Sequence, residues 1–160
     1  PDDFADRSAI ARTVATVNDL TDKLSRAGLE LFLHNHWWEF VEHEGKKGYH
    51  ILQEECPDVL FEVDTYWAAN FGNSDPVSEV GRIRNRAPLL HIKDGPLIKG
   101  EAHVAVGDGR MNIRAIIDAA DEEILEWIVV ELDDCDTDMM TAVQKSYAYL
   151  IHNELATGNQ

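Results

Sequence analysis

The 160 residues include only two cysteines, Cys56 and Cys135. Their number and separation suit neither a disulfide framework nor a zinc knuckle, so incidental thiols in a reducing compartment are expected. No stretch reaches the roughly 18 apolar residues that a membrane span requires, and no basic-then-apolar leader opens the chain. A soluble, cytoplasmic protein is therefore expected. Positive charge is also scarce: 14 Lys and Arg stand against 30 Asp and Glu, for a formal net charge of -16. That balance repels nucleic acid and anionic membranes, so neither is an expected partner. The acids run from Asp2 to Glu154 with no single tail. A whole surface of this kind suits high salt, where screening relieves self-repulsion, and a halophilic source is the corresponding expectation.

What remains is an ordinary globular composition. With 44% hydrophobic residues and no repeat, linker or low-complexity segment, residues 1–160 are expected to form one domain around one core. Ile10, Val14, Val17, Leu20 and Leu24 recur at three or four residues and predict an amphipathic helix over 7–27, with Asp6 capping its start and Gly28 its end. A strand over 29–33 follows. Gly45 to Gly48 reads as a turn, succeeded by a short helix that Pro57 ends. Further strands are predicted over 59–64, 89–92 and 127–131. The helices between and after them are expected to start at Pro76, to span 112–123 and to span 137–155. Gly95 to Gly109 is a long irregular segment, and such loops are more often functional than filler. Strand and helix alternate four times, which predicts an α/β fold with a parallel sheet of the (β/α) TIM-barrel type.

Four such units leave a barrel half built, because a closed one needs eight in about 250 residues. An open four-stranded sheet would have free edges and a bare face. Since the chain begins at Pro1 without a methionine, it is expected to be the C-terminal part of a longer protein, with a homo-oligomer of two halves as the other arrangement.

The strands share one feature: each apolar run ends in a group able to hold a metal. Leu89-Leu90-His91-Ile92-Lys93-Asp94 ends in an imidazole, an ammonium and a carboxylate, Leu60-Phe61-Glu62-Val63-Asp64 in a carboxylate, and Trp127-Ile128-Val129-Val130-Glu131 in another. His34 closes the first strand. The C-terminal ends of parallel barrel strands meet on one face, so His34, Asp64, His91 and Glu131 are expected to converge there. Carboxylate and imidazole donors suit Mn, Mg, Zn, Co or Fe in the divalent state.

These stretches resemble the sugar phosphate isomerase/epimerase family of the xylose isomerase-like TIM barrel. The matching residues are Leu33-His34-Asn35-His36 with Glu39-Phe40, Phe61-Glu62-Val63-Asp64-Thr65-Tyr66-Trp67, Leu90-His91-Ile92-Lys93-Asp94, Gly107-Asp108-Gly109, and Val130-Glu131-Leu132-Asp133 with Ser146-Tyr147 and Tyr149-Leu150. The resemblance implies that the strands are the fifth to eighth of the barrel and that each supplies one metal ligand. Asp64, His91 and Glu131 match residue for residue. His34 stands where the family often has Glu, and His36 and Glu39 are alternatives for that fourth ligand.

The implied activity is metal-dependent isomerisation or epimerisation of a small sugar or keto-sugar through an enediolate. A divalent ion acidifies the carbon between a carbonyl and a hydroxyl, and a nearby base moves the proton. Glu131 is the first candidate base, with His34 or His36 on the opposite face. Lys93 is a candidate for holding an oxyanion or a substrate hydroxyl, or else pairs with Asp94. Trp67, with Trp37 or Trp38, offers a plane for a sugar ring. A keto-sugar lyase or dehydratase is the neighbouring reading, a non-catalytic half-barrel the bland one, and an endonuclease IV-like phosphodiesterase the least favoured, because of the charge. Gly107-Asp108-Gly109 lacks the Lys-Ser/Thr of a phosphate loop, Ser146 belongs on a helix face, and the acids from Asp133 to Asp138 suit helix capping better than calcium binding.

Overall fold

A computed structural model describes residues 1–158. Helix α1 (Arg7–Arg26) begins where the Asp6 carboxylate accepts the Ala9 amide at 2.7 Å, and Gly28 at φ +74° turns the chain away at its end. Ile10, Val14 and Val17 bury the expected stripe, but it fades toward the C-terminus: Leu20 is exposed, and the strand expected over 29–33 is displaced to Phe32–His34 (β1). Leu29 lies before it, in solvent. The turn expected at Gly45 to Gly48 proves to be a hairpin, β2 (Glu42–His43) and β3 (Lys46–Lys47), closed by Glu44 and Gly45 at positive φ. Helix α2 (Gly48–Glu55) follows directly.

The remaining order is β4 (Leu60–Asp64), α3 (Thr65–Asn70), α4 (Pro76–Ile83), β5 (Leu89–Ile92), α5 (Ile113–Asp118), β6 (Trp127–Val130) and α6 (Met139–His152). Helix α5 stops well short of the expected 123, because Asp121 turns its carboxylate onto the Glu123 amide and starts a separate turn. Helix α6 is also shorter than 137–155. Asp138 caps its start by accepting the Thr141 amide, and Asn153 closes its end on the Tyr149 carbonyl.

Strands β1, β4, β5 and β6 form one parallel sheet in that order, with Leu33 opposite Phe61, Asp64 opposite His91 and His91 opposite Val129. Residues at alternate positions face opposite sides. Phe61, Val63, Leu90 and Ile92 point to the helix layer and join a core with Ile10, Tyr49, Val80, Ile113 and Ile116. The opposite face carries Leu60, Glu62, Leu89, His91, Trp127 and Val129, and no element of the described residues covers it. Trp127 is 57% exposed. The strands are short, and their C-terminal ends lie side by side.

The loop after β5 is held from within. Buried Asp94 accepts four backbone amides, those of Gly95 (2.8 Å) and Met111 (3.0 Å) on Oδ1 and those of Gly107 (3.0 Å) and Gly109 (3.1 Å) on Oδ2. A side chain on Gly109 would collide with that carboxylate. The Gly107-Asp108-Gly109 motif thus cradles the protein's own anion. Ser146, on α6 as expected, is buried and accepts the Val106 amide at 2.9 Å, pinning the loop to the helix layer.

Candidate metal centre

The sheet's register sets the neighbours. Asp64 and His91 are direct cross-strand partners, and Glu131 follows β6 with its amide donating to the Ile92 carbonyl at 3.3 Å. Two side chains stitch the strand ends beyond the sheet. Asn35 accepts the Asp64 amide at 3.0 Å and donates to the Asp64 carbonyl at 2.9 Å, while Thr65 donates its hydroxyl to the His91 carbonyl at 3.1 Å.

One donor atom from each of His34, Asp64, His91 and Glu131 lies within 4.8 Å of all the others. His36 and Glu39 stand outside this group. Glu39 is buried and turned back onto the His36 amide at 3.0 Å, and burial raises its carboxyl above the usual range. Within the four converging residues, His34 Nε2 and His91 Nδ1 make no directed hydrogen bond, while Asp64 Oδ2 and Glu131 Oε2 face the Lys93 ammonium at 3.0 and 2.7 Å. An unpaired buried nitrogen is costly, and two imidazole nitrogens aimed at the same pair of carboxylate oxygens suit a shared cationic partner.

The tautomer of His91 sharpens this. Its Nε2 lies 2.9 Å from Glu62 Oε1, and a ring hydrogen directed there would turn the Nδ1 lone pair into the cluster. That lone pair faces Glu131 Oε2 at 2.9 Å. With the hydrogen on Nε2, two acceptors this close call for positive charge beside them; Lys93, 2.7 Å from the same Glu131 oxygen, supplies one, and a set of two imidazoles and two carboxylates also fits a divalent cation of the transition-metal type. Asp64 is oriented by its other oxygen, which accepts the Trp67 amide at 2.8 Å as the N-cap of α3.

Lys93 completes the cluster but does not pair with Asp94, the alternative its sequence position offers, since the Asp94 carboxylate is filled by amides. The ammonium is buried and lies 3.0 Å from Asp64, 2.7 Å from Glu131 and 2.8 Å from Asp133. Burial alone would lower its pKa; the field of Asp64, Asp133 and Glu131 outweighs burial and raises it. The same holds for His34, where burial is overcome by Asp64, Glu62 and Glu131. His36 goes the other way: burial and the adjacent His34 push it down, which favours a neutral ring.

The aromatic groups form a rim. His36 stacks on Trp38 at 4.2 Å with 13° between the planes, and Trp37 packs beside Phe71. Trp67 lies in α3 with Lys93 Nζ 5.1 Å from its ring centre and Phe71 against its edge. Three neighbours escape a reading of strand ends. Glu62 was legible as an acid two positions before Asp64 on the same face. Asp133 was legible in a similar way, two positions past Glu131 in the matching stretch Val130-Glu131-Leu132-Asp133, whereas His103 left no such signal. His103 is buried on a loop, its ring edge-on to Tyr66, and its Nδ1 accepts the Asp133 amide at 3.3 Å.

Comparison with known proteins locates the fold. The family model of the xylose isomerase-like TIM barrel matches residues 1–151. A sugar phosphate isomerase/epimerase from Parabacteroides distasonis ATCC 8503 superposes with a TM-score of 0.74 at 28% identity, over 91% of this chain and 52% of that one. A second from the same organism gives 0.73 at 24% identity, over 91% and 54%. An L-ribulose 3-epimerase gives 0.60 at 16% identity, over 96% and 59%, a likeness of fold alone. The chain thus spans about half the length of these structures. No curated protein sequence matches it significantly.

Proposed function

The chain belongs to the xylose isomerase-like TIM barrel family, and on that premise we propose that it is a divalent-metal-dependent isomerase or epimerase of a small sugar or keto-sugar. His34, Asp64, His91 and Glu131 would hold the ion, with His34 taking the fourth position in preference to His36 or Glu39. A divalent cation bound there supplies Lewis acidity, lowering the pKa of the carbon between a carbonyl and its neighbouring hydroxyl. Glu131 is the base on one side. Its carboxylate is only partly buried, so one oxygen remains accessible to a substrate proton. Neutral His36 is the proton acceptor on the other face. Lys93, locked by three carboxylates, donates to a substrate oxygen as negative charge grows there. Trp67 supplies an apolar plane for the ring.

The four strands are the fifth to eighth of the barrel. The uncovered face of the sheet and the half-length match to solved relatives support closure by four more strands, from further sequence or from a second copy. The observation that carries the functional reading is the convergence of four donor atoms, two imidazole nitrogens and two carboxylate oxygens, within 4.8 Å.

Elemental analysis and solution mass of the purified chain test this first. Near-stoichiometric transition metal, lost in Asp64→Asn and in His91→Gln, is the expected result. Incubation with ketoses in heavy water should then exchange one carbon-bound hydrogen without elimination, which separates an epimerase from a lyase. A folded chain that takes up no divalent ion would remove the reading.

A further inference from the structure

We propose that His103 is a positioning residue of the metal centre: through the Asp133 backbone it sets where the Lys93 ammonium lies against the two metal-binding carboxylates. This role rests on the metal-dependent reading above, and it gives the long loop after β5 a task that the chemistry so far leaves open.

Lys93 stands where a cation would bind. It meets Asp64 Oδ2 at 3.0 Å and Glu131 Oε2 at 2.7 Å, and those same oxygens face the imidazoles, the first 3.4 Å from His34 Nε2 and the second 2.9 Å from His91 Nδ1. An ammonium and a divalent ion on one pair of oxygens compete. The third partner of Lys93, Asp133 Oδ2 at 2.8 Å, holds the ammonium from outside the four-ligand group. The Asp133 side chain is 44% exposed, so its backbone decides where that carboxylate stands.

One buried residue clamps that backbone. The Asp133 amide donates to His103 Nδ1 at 3.3 Å, the Asp136 amide donates to the His103 carbonyl at 2.9 Å, and the His103 amide donates to Asp134 Oδ1 at 3.2 Å. An amide can only donate, so Nδ1 carries a lone pair and the ring hydrogen sits on Nε2. His103 is fixed in turn. The Tyr66 ring stands edge-on at 4.8 Å, and the next residue, Val104, donates its amide to the Asp94 carbonyl at 3.0 Å. Asp94 is the residue whose carboxylate fills the glycine nest. The nest thus holds the loop, the loop holds His103, His103 holds Asp133, and Asp133 restrains Lys93.

A double-mutant cycle on the Mn²⁺ affinity of the full chain tests this, read by calorimetry with circular dichroism on each variant. His103→Leu deletes the acceptor and should weaken Mn²⁺ binding about tenfold. His103→Asn puts an amide oxygen near the lost nitrogen and should return the affinity to within about threefold of the parent. In a Lys93→Met background, His103→Leu should change the affinity by less than about twofold, because no ammonium is left to misplace. Should His103→Leu fail to fold, ¹⁵N NMR of the unaltered chain at neutral pH decides: Nδ1 in the unprotonated range and a slowly exchanging Asp133 amide are expected, and a protonated Nδ1 or a freely exchanging amide overturns the proposal. So does an unweakened His103→Leu, an Asn variant as weak as the Leu one, or a loss that persists without Lys93, each of which leaves the metal reading standing. A parent chain that takes up no Mn²⁺ removes the metal reading and this role together.

Discussion

On the helix side of the sheet, Phe61, Val63, Leu90 and Ile92 are fully buried, whereas on the other side the next residues along, Glu62, Asp64 and His91, carry polar groups and Trp127 lies in solvent. The backbone is the same in both cases, and the pleat alone sends one set to the core and the other to the mouth. The helix-side set is held by non-directional burial, so each residue contributes stability in proportion to its apolar area. The mouth set gains no such burial. Its donor atoms are held within 4.8 Å of one another by the strands and by Asn35 and Thr65, and the energy that the core supplies is what keeps them there.

Changes on the two faces should therefore differ in kind, and the largest should come from the core. Phe61→Ala removes a ring packed on Tyr49 and should cost about 4 kcal/mol in urea unfolding, provided the variant still folds. A loss below about 1 kcal/mol would mean that the helix-side face does not carry the fold.

Glu62→Gln weakens the hold on the His91 tautomer and should reduce divalent-ion affinity by about 10- to 100-fold, with little change in the metal-free unfolding midpoint. Unchanged affinity in a calorimetric titration would show that Glu62 does not orient His91.

At the mouth, burial and then Lys93 hold the His103 imidazole below its ordinary value of 6.5, against the pull of Asp133 and Asp134. The unfolded chain therefore binds this proton more readily. The stability that neutral His103 contributes is present above the unfolded value and is lost as pH falls through 6.5 toward the folded one. Ring chemical shifts followed by NMR should show His103 titrating below free histidine, and a midpoint at or above it would break the assignment.

The smallest effect is expected at Trp127. If the bare face is open in solution, Trp127→Ser changes stability by less than about 0.5 kcal/mol. A loss of several times that amount would show that further strands or a second copy cover the face.

Much of this was legible residue by residue. The β5 limits follow from Pro88 and the Leu89-Leu90 run, and the caps at Asp6 and Asp138 follow from local hydrogen bonding. The misplacements are local too. Leu29 and Leu31 alternate like strand residues, but β1 begins only at Phe32, where it can pair with Leu60. The apolar periodicity past Asp118 cannot reveal that Asp121 breaks the helix with its own carboxylate. Lys93 and Asp94 are adjacent in sequence, yet just past the end of β5 they serve different partners, Lys93 the carboxylates of Asp64, Glu131 and Asp133 and Asp94 the amides of its own loop.

The order of the four long strands, the parallel sheet and the residues brought to the strand ends were written in the sequence, because hydrophobic periodicity and capping act over a few residues at a time; the hairpin β2–β3 and the short helix α3 were not. Three things waited on the tertiary structure: that His34 joins Asp64, His91 and Glu131 while His36 and Glu39 stay outside that group, that Glu62 lies against His91, and that Asp94 fills the glycine nest. Each depends on a distance between residues far apart in the chain, and such distances exist only once register and packing have brought the strands side by side.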